Sequence, residues 1–557
     1  MSGAARSDPN RPDELVFLAL GGVGEIGMNL SLYGYAGKWL MIDCGITFAD
    51  DTMPGVEVVM PDPSFIAERA DDLVGLVATH AHEDHIGAIP HLWRRLKCPV
   101  YATPFTAAVL RQKLIEAGME RDVKITEIPM SGRFTVGPFD LELITLTHSI
   151  PEPNAVVLRT PLGTVLHTGD WKFDPDPLVG EVSDLAALRK LGDDGVLAMI
   201  CDSTNALRPG ESGSEADVKR VLIDLVGRCK ERAVIACFAS NVARLSSAAA
   251  AAAAHDRHAA LVGRSLWRIE HAARETGYLD GVPPFLTAEE AAFLPRDKVL
   301  LICTGSQGEP RSALSRIADD DHPDIVLEEG DTVIFSSRII PGNERAIGRL
   351  QNKLATLGVQ IITEHDAPVH VSGHPAQDEL LRMYQMVRPR IAVPVHGETR
   401  HLMAQARLAE QCQVQQIIVT RNGEMVKLAP GPAAPIGEVP TGRLVVDGTQ
   451  LIAASSEALK SRTRMVFNGA ALATLVLDRA GKLLAPPRVT VHGVGDGEAD
   501  EIGGRLGECI AESVEALSPR QRREDDAVRE AARLALRRSL KAWHGKRPVI
   551  QIHLVRL

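Results

Sequence analysis

The chain has 557 residues, of which 45% are hydrophobic and 24% are charged. This length exceeds what one hydrophobic core usually supports, so we expect several structural units, and the composition is that of a globular protein rather than a disordered chain. The formal net charge of −11 argues against a general nucleic-acid coat, because sequence-independent binding to phosphates needs many exposed Lys and Arg side chains. A local nucleic-acid site is not excluded, since the local field rather than the total charge acts on a bound strand.

The cysteines and the N-terminus indicate a cellular compartment. Eight cysteines are spaced singly, without a CxxC pair, which predicts reduced thiols rather than a disulfide framework. Residues 1–12 are polar and lack the apolar core of a signal peptide, and no run of about 18 apolar residues occurs in the chain. We therefore predict a cytoplasmic protein with a flexible tail at residues 1–12 and no membrane partner.

Short apolar runs that end in polar or glycine-rich turns follow one another from Leu15 to Asp202. Such runs predict buried strands with few helices between them, and so a layered α/β domain whose first part covers residues 13–212. In this type of domain we expect the chemistry at the strand ends.

A glycine motif near the start of the chain superficially matches a dinucleotide-binding fingerprint. Gly22, Gly24 and Gly27 spell GxGxxG directly after an apolar run. A dinucleotide-binding unit needs a helix after the last glycine, but the following residues alternate between apolar and polar, as in a hairpin. We interpret these glycines as turn residues.

The pattern changes at Ser214, where apolar residues begin to recur at helical spacing. Strands and helices then alternate, including a run of seven alanines at Ala248–Ala254, which predicts a doubly wound α/β insert over residues 213–369. The strand-end pattern returns in RIAVPVHGE, so we expect the chain to re-enter the first domain over residues 370–455. A small α+β domain is predicted over residues 462–557.

The strongest chemical signal is the segment Thr79–His85, THAHEDH, which places four metal-ligand candidates within six residues after an apolar run. Imidazole and carboxylate suit Zn²⁺ and, less selectively, Mn²⁺, and the absence of thiolates argues against a closed structural zinc site. One histidine alone would more often be a surface or hydrogen-bonded residue, but the clustered HxHxDH pattern favours a metal centre. Holding two ions needs about seven donors.

Further donors are therefore expected at other strand ends. Three residues have that placement: His148, Asp170 and His396. Asp43 also ends an apolar run, but we expect it to support the loop by hydrogen bonding rather than to bind metal. Four other histidines lack this placement and are predicted to be exposed or capping residues: His91, His255, His258 and His401.

These segments together resemble the ribonuclease J family, in the β-CASP branch of the metallo-β-lactamase superfamily. The resemblance covers almost the whole chain and rests on HxHxDH, DSTN (202–205), HVSGH (370–374) and PVHGE (394–398). The segments FASNV (238–242), GRS (263–265), TGSQGEP (304–310) and PGN (341–343) are more specific to the family. The implied fold is a metallo-β-lactamase αββα sandwich with an inserted doubly wound β-CASP domain and a small α+β C-terminal domain.

The resemblance implies a centre of two zinc ions, for which Mn²⁺ or Mg²⁺ can substitute. It assigns His80, His82 and His148 to one ion, it assigns Asp84, His85 and His396 to the other, and it places Asp170 between them. It implies that Asp84, Asp202 and His374 are catalytic. A calcium site of the family would fall on Gly55, Glu57 and Asp447, although Glu57 stands where Asp is expected.

The resemblance also implies a set of substrate-binding residues in two loops: Ser240, Asn241, Val242, His370, Val371, Ser372, Gly373 and His374. From the residues alone, a hydrogen-bonded turn is an equally good interpretation of both loops.

The implied activity is 5′→3′ exonuclease cleavage of single-stranded RNA that carries a 5′-monophosphate, together with endonuclease cleavage, in messenger decay and ribosomal RNA maturation. The implied assembly is a homodimer or homotetramer that can act with a paralogue or an RNA degradation complex. A thioesterase or lactamase of the same superfamily would lack DSTN, HVSGH and PVHGE. Two alternatives stay open, namely a DNA-processing β-CASP nuclease and a non-catalytic RNA-binding subunit, although retention of all seven ligands favours an active enzyme.

Overall fold

A computed structural model of the protein describes residues 13–50, 52–495 and 499–557, so the predicted flexible tail at residues 1–12 lies outside the described residues. The chain forms two compact units. The first comprises Val59–Gly442 with the chain before Phe48, and the second comprises Phe48–Val58 with Arg443–Leu557. The predicted domain boundaries within these units stay predictions.

Two mixed sheets form the centre of the first unit. The first sheet has eight strands, in the spatial order Ala434–Glu438, Glu424–Ala429, Leu15–Gly21, Leu30–Tyr35, Lys38–Ile42, Leu73–Val77, Val100–Ala102 and Ile125–Glu127. The second has seven, in the order Arg133–Val136, Phe139–Thr145, Asn154–Thr160, Gly163–His167, Ala198–Asp202, Ile391–Val395 and Gln416–Ile417. A two-stranded parallel ribbon joins Val23–Gly24 to Gly397–Glu398.

The hydrophobic core lies between the two sheets. Phe17 and Tyr33 of the first sheet belong to the same buried cluster as Val156 and Leu158 of the second. Val157 points the other way, as the period-two geometry of a strand requires, and joins a cluster formed with the outer helices. The two sheets therefore pack face to face.

Helices cover the outer faces. On the second sheet, Leu188, Met383 and Leu408 come from three helices and belong to one buried cluster with Val157. On the first sheet, the Trp39 ring lies 5.4 Å from the Phe65 ring in an edge-on contact. The helices of this layered core are Ser64–Ala67, Glu83–Ile86, Ile89–Leu96, Pro104–Glu116, Leu185–Asp194, Gln377–Val387 and Thr399–Gln411. The architecture is the predicted αββα sandwich.

An insert with its own parallel sheet interrupts the sandwich. Its strands lie in the order His258–Val262, Val299–Cys303, Ala233–Ala236, Thr332–Phe335 and Gln360–Ile362. Its helices are Glu215–Arg228, Val242–Ala254, Arg264–Glu275, Ala288–Ala292, Ala313–Ala318 and Glu344–Thr356. The predicted alanine helix is confirmed, and a separate buried cluster fills the insert.

The chain then returns to the sandwich. Ile391–Val395 pairs in parallel with Ala198–Asp202, and Val395 lies opposite Asp202 in the register. The end of the strand before the insert therefore lies beside the end of the strand after it.

The second unit contains an α+β fold. Its three-stranded sheet has the order Arg488–His492, Ala470–Leu477 and Val549–Arg556. A hairpin joins Arg443–Asp447 to Gln450–Ala453, and the helices are Glu457–Asn468, Ala499–Glu515 and Asp525–His544. Within the described ranges, no helix of either unit is long and apolar enough to cross a membrane.

Candidate metal centre

The predicted ligands lie on loops that follow the carboxyl ends of strands. THAHEDH follows Leu73–Val77, and its last residues enter the short helix Glu83–Ile86. The other ligand and strand pairs are His148 after Phe139–Thr145, Asp170 after Gly163–His167 and His396 after Ile391–Val395. The fold brings all of these loops together.

His80, His82 and His148 form the first group of donors. His80 Nε2 and His148 Nε2 lie 3.1 and 3.0 Å from His82 Nδ1. Asp170 Oδ2 lies 3.9 Å from the ring nitrogens of both His80 and His148. One ligand atom from each of the four residues lies within 4.8 Å of the others, a spacing that suits a single bound ion.

Asp84, His85 and His396 form the second group, again with Asp170. Asp170 Oδ2 lies 3.1 Å from the Nε2 atoms of both His85 and His396. Asp84 Oδ2 lies 3.2 Å from His396 Nε2 and 3.6 Å from His85 Nε2. Asp170 thus belongs to both groups, which is the position that the resemblance implied for it.

Burial keeps the first group of histidines neutral. It lowers the pKa of His82 to about 4, and it lowers the pKa values of His80 and His148 well below the usual value, with neighbouring histidines adding to the effect. A neutral imidazole keeps a lone pair on one ring nitrogen. Each histidine of the first group can therefore offer a lone pair to a cation.

In the second group, nearby carboxylates have a larger effect than burial on the pKa values of the histidines. Burial disfavours the charged form of His85, but nearby carboxylates, Asp170 first, outweigh burial and raise the pKa of His85 well above its usual value. Burial also opposes charging of His396, and Asp170 again raises its pKa. A divalent cation would supply the positive charge that these carboxylates attract.

The donor set fits two divalent metal ions. Five imidazoles and two carboxylates converge in two groups that share one carboxylate. Asp170 Oδ1 is buried and has no hydrogen-bond partner among the described residues, which is costly for an isolated carboxylate oxygen but expected for one that binds a cation. Nitrogen and oxygen donors in this number suit zinc with positions left open, and the same donors also accept Mn²⁺.

Asp43 lies behind the centre rather than in it. Its Oδ2 accepts hydrogen bonds from His85 Nδ1 at 2.7 Å and from Thr79 Oγ1 at 2.9 Å, and its Oδ1 accepts one from the Thr79 backbone N–H at 2.8 Å. The prediction that Asp43 supports the loop by hydrogen bonding is confirmed. Such partners fix the orientation of a ligating imidazole.

The three N-terminal glycines form a turn that contacts the centre. Gly22, Gly24 and Gly27 have φ angles of 87°, 80° and 97°, and the chain continues into the strand Leu30–Tyr35 rather than a helix, as predicted. The Gly22 carbonyl accepts a hydrogen bond from the backbone N–H of His396 at 2.7 Å. The turn therefore holds the loop that carries this ligand.

His374 and Asp202 form a pair at the edge of the metal groups. His374 Nδ1 lies 2.8 Å from Asp202 Oδ2 and 3.8 Å from Asp170 Oδ2, and 23% of the His374 side chain is exposed. Burial disfavours the charged imidazole, but the carboxylate of Asp202, followed by that of Asp170, raises the pKa of His374. The pair can present a protonated imidazole toward a bound group.

Two residues of DSTN that sequence reasoning did not single out complete this arrangement. Thr204 donates to Asp202 Oδ1 from its backbone N–H and from Oγ1, both at 2.8 Å, and its Oγ1 lies 3.2 Å from His396 Nδ1. Asn205 contacts the HVSGH loop. The sequence indicated these two residues only through their place in DSTN, at the end of the strand Ala198–Asp202.

The HVSGH segment, residues 370–374, lies against the first metal group. Ser372 Oγ accepts hydrogen bonds from Asn205 Nδ2 at 2.7 Å and from the backbone N–H of the second histidine at 3.2 Å. The Gly373 carbonyl accepts a hydrogen bond from His148 Nδ1 at 2.5 Å. A Cβ on Gly373 would lie 2.6 Å from the His148 ring, so this close approach requires glycine.

The other predicted substrate-binding residues have mixed surroundings. Asn241 caps a helix: its Oδ1 accepts from the Arg244 backbone N–H at 2.8 Å, and its Nδ2 donates to Glu215 Oε1 at 3.3 Å. Val242 is buried, and Ser240 is half-buried. His370 and Val371 are also half-buried. A contact between these residues and substrate stays a prediction.

The histidines outside the predicted centre have ordinary roles. His255 Nε2 donates to the Ile223 carbonyl at 2.8 Å, and His401 Nδ1 accepts from the Glu398 backbone N–H at 3.2 Å near the start of a helix. His91 and His258 are exposed. The prediction of exposed or capping residues is confirmed.

The calcium prediction does not fit the geometry. Arg462 Nη2 donates to both carboxylate oxygens of Asp447 at 3.0 Å, and Arg462 Nη1 donates to the Pro54 carbonyl at 3.2 Å. A Cβ on Gly55 would lie 3.1 Å from that Nη1 atom. The guanidinium therefore supplies the positive charge beside Asp447, and Gly55, Glu57 and Asp447 do not form a calcium cradle.

Comparisons with known proteins match almost the whole length of the chain. The family model described as "Metallo-beta-lactamase superfamily" matches residues 24–208, and "Ribonuclease J, beta-CASP domain" matches residues 230–354. "Zn-dependent metallo-hydrolase RNA specificity domain" matches residues 367–419, and "Ribonuclease J C-terminal domain" matches residues 457–557. The chain is 45% identical over 560 residues to Ribonuclease J of Sinorhizobium meliloti, and the alignment covers 99% of each chain. The chain belongs to the ribonuclease J family.

Other relatives agree with this membership. Ribonuclease J of Mycolicibacterium smegmatis is 39% identical, with coverage of 97% of this chain and 96% of the relative. Ribonuclease J of Thermus thermophilus is 37% identical, with coverage of 97% and 94%. A crystal structure of a protein of unknown function from Enterococcus faecalis has a TM-score of 0.52 at 15% identity, covering 74% of this chain and 100% of that chain, which is a likeness of fold alone. The fold is a metallo-β-lactamase fold with a β-CASP insertion and a C-terminal domain, as predicted.

Proposed function

We propose that this chain is a two-metal ribonuclease that hydrolyses phosphodiester bonds of RNA at the centre described above. The observation that carries the proposal is the convergence of seven donors in two groups that share Asp170, with His374 beside them. The family membership and the match to an RNA specificity domain support RNA as the substrate.

His80, His82 and His148 would hold one ion, Asp84, His85 and His396 would hold the other, and Asp170 would join the two. When bound, the two ions would lower the pKa of a water molecule toward neutrality and would offset the charge that develops on a phosphate, as in other two-metal sites. Zinc is the proposed metal, and the matched zinc-dependent hydrolase domain supports it.

The protein's own groups would control the proton at the leaving oxygen. Water would attack the phosphorus as the bond from phosphorus to the 3′-oxygen breaks, and the His374 imidazolium would donate its proton to that oxygen. The proton lost by the attacking water would pass to solvent, from which His374 would be protonated again. Asp202 accepts a hydrogen bond from His374 Nδ1, which would hold the imidazole in place and favour its protonated form before the reaction. Thr204 fixes the Asp202 carboxylate in turn.

We further propose 5′→3′ exonuclease action with a preference for a 5′-monophosphate, combined with endonuclease action, in messenger decay and ribosomal RNA processing. We propose a homodimer or homotetramer located in the cytoplasm. Exposed apolar side chains on the second unit support self-association, among them Phe467 at 70% exposure and Val466 at 63%. Sedimentation at several protein concentrations tests this, and a monomer at micromolar concentration would refute it.

The activity is tested with purified protein, Zn²⁺ or Mn²⁺, and three labelled substrates of one sequence: 5′-monophosphorylated RNA, 5′-triphosphorylated RNA and single-stranded DNA. Mononucleotides released from the monophosphorylated RNA, and absent with Asp84→Ala, are the expected result. Internal fragments alone would assign an endonuclease, and preferential cleavage of DNA would assign the DNA-processing alternative. Binding of metal and RNA without cleavage of any substrate would favour the non-catalytic subunit.

A further inference from the structure

Asn205 joins three segments of the first unit beside the His374 loop. Its Nδ2 donates to Ser372 Oγ at 2.7 Å and to the His374 carbonyl at 3.0 Å. Its Oδ1 accepts a hydrogen bond from Arg338 Nη1 at 2.9 Å. Because a guanidinium can only donate, this contact fixes which end of the Asn205 amide is the oxygen. An arginine of the insert is thereby tied to the loop of the proposed general acid.

Arg338 is an exposed cation that makes no ion pair within the described residues. The side chain is exposed, and within the described ranges its hydrogen-bond partner is the neutral amide of Asn205, with no Asp or Glu ion-paired to it. Arg208 is also exposed and has no ion pair in the described part of the chain, and its backbone N–H donates to the Asn205 carbonyl at 2.8 Å. The buried cations of this region differ, since Arg244 pairs with Glu215 at 2.8 Å and Lys172 pairs with an aspartate at 2.8 Å.

His370 lies near the same positively charged side chains. Its Nδ1 is buried and has no hydrogen-bond partner among the residues that the structure describes. Burial, and after it the positive charges of Arg244, Lys172, Arg338 and Arg208 in that order, lower the pKa of His370 well below its usual value. Of these four cations, Arg338 and Arg208 have no ion pair within the described residues, so their charges remain available to an anion.

We propose that Arg338 and Arg208 form a phosphate-binding subsite that holds a backbone phosphate of the RNA strand next to the phosphate being cleaved. The inference rests on the proposed function. Arg338 is the main contact, because its planar guanidinium keeps N–H donors available after the bond to Asn205, and paired donors of this kind match phosphate oxygens. Because Asn205 contacts both Arg338 and the His374 loop, an RNA strand bound at Arg338 would be held in a fixed position relative to that loop.

The test compares Arg338→Ala and Arg338→Lys with wild type on two substrates, a monophosphorylated RNA and bis(p-nitrophenyl) phosphate, which has one phosphodiester and no neighbouring phosphate. Arg338→Ala should raise KM for RNA by about 10- to 100-fold, the loss expected for one charge-assisted hydrogen-bonded contact, and should affect kcat less. The decrease in kcat/KM caused by Arg338→Ala should be about tenfold or more larger for RNA than for the single phosphodiester. Arg338→Lys should recover part of the RNA affinity, because the charge remains while the paired geometry is lost.

Salt dependence gives a readout that a merely structural role would not move. Removing one phosphate contact should reduce the slope of log affinity against log salt by about 0.7, the value for one phosphate on a single strand. Arg388→Ala is the matched control, because that exposed arginine pairs with Asp193 on an outer helix and should leave KM and slope unchanged.

Two kinetic outcomes would overturn the subsite, and a third would bear on the proposed function. An unchanged KM and slope for RNA would remove the phosphate contact. An equal loss on both substrates would reduce Arg338 to a structural support of Asn205, and a lowered melting temperature would indicate the same. Failure of wild-type protein to cleave RNA while it hydrolyses the single phosphodiester would contradict the proposed function rather than the subsite.

Discussion

The orientation of single side chains decides whether the strand-end donors can act as a metal centre. His85 is the clearest case, because Asp43 contacts its Nδ1 atom at 2.7 Å and leaves Nε2 facing the second metal group. Asp43 also has a φ of 62°, a left-handed conformation that Asn adopts with little strain. The effect of the charge can therefore be separated from the effect of the backbone.

Asp43→Asn should lower the metal affinity of the second group by about 10- to 100-fold while all seven ligands remain, because an amide orients and polarises the imidazole less well than a carboxylate. Metal content after dialysis against graded chelator concentrations measures this. Glu68→Gln, at an exposed carboxylate outside the centre, is the control. Retention of both metals at wild-type chelator concentrations would show that Asp43 has no such role.

The pair of His374 and Asp202 predicts a pH dependence with a definite sign. If the imidazolium donates the proton, the rate falls as the pH rises through the pKa of His374, and the negative charge of Asp202 raises that pKa. Asp202→Asn should lower the pKa, so its rate should begin to fall at a lower pH than the wild-type rate. Profiles of kcat against pH at saturating metal measure the shift, and His374→Ala should lose this limb while it keeps its metals. A limb that stays in place in Asp202→Asn would argue against His374 as the acid.

At the scale of elements, a buried ion pair connects two helices of the insert with the segment that leads back to the sandwich. Arg244 on the helix Val242–Ala254 pairs with Glu215 at the start of Glu215–Arg228, and both side chains are fully buried. Arg244 Nη1 also donates to the Val369 carbonyl at 2.8 Å, directly before HVSGH. The same pair therefore holds two insert helices and the segment that leads back to the metal centre.

Arg244→Leu should destabilise the first unit by about 3–5 kcal/mol, because it leaves the Glu215 carboxylate buried without its cation. The control, on the partner helix Glu215–Arg228, is Arg220→Ala, which breaks an exposed pair with Asp217 and should cost at most about 1 kcal/mol. Chemical denaturation followed by intrinsic fluorescence measures both. The double variant Arg244→Leu with Glu215→Met should recover stability relative to Arg244→Leu alone, and equal costs for the two arginines would contradict this account.

At the scale of the whole molecule, the sequence was informative where function depends on residues close together in the chain. HxHxDH and the strand ends at Asp170 and His396 were recognisable because a short polar segment after an apolar run has few structural explanations. The net negative charge of the chain is compatible with RNA binding, because the cations proposed to contact RNA lie together beside the His374 loop.

Contacts between distant segments were beyond the sequence pattern. Asn205 and Arg338 are 133 residues apart, and Arg244 and Glu215 are 29 apart on two different helices. Nothing in their local sequence indicates the partner, because the first contact depends on how the insert packs on the sandwich and the second on how two insert helices pack together. The surroundings of Asp447 were likewise not evident from the sequence, since its carboxylate accepts hydrogen bonds from Arg462 on the following helix.

The central claim is that two metal ions held by the converging donors are required for RNA cleavage. The most direct measurement strips the protein of metal, adds back Zn²⁺ or Mn²⁺ in known equivalents, and follows cleavage of a monophosphorylated RNA together with bound metal. The account predicts no cleavage without metal, full cleavage near two equivalents per chain, and neither full metal content nor cleavage in Asp170→Asn. Cleavage by the metal-free protein, or wild-type rates in Asp170→Asn, would contradict it.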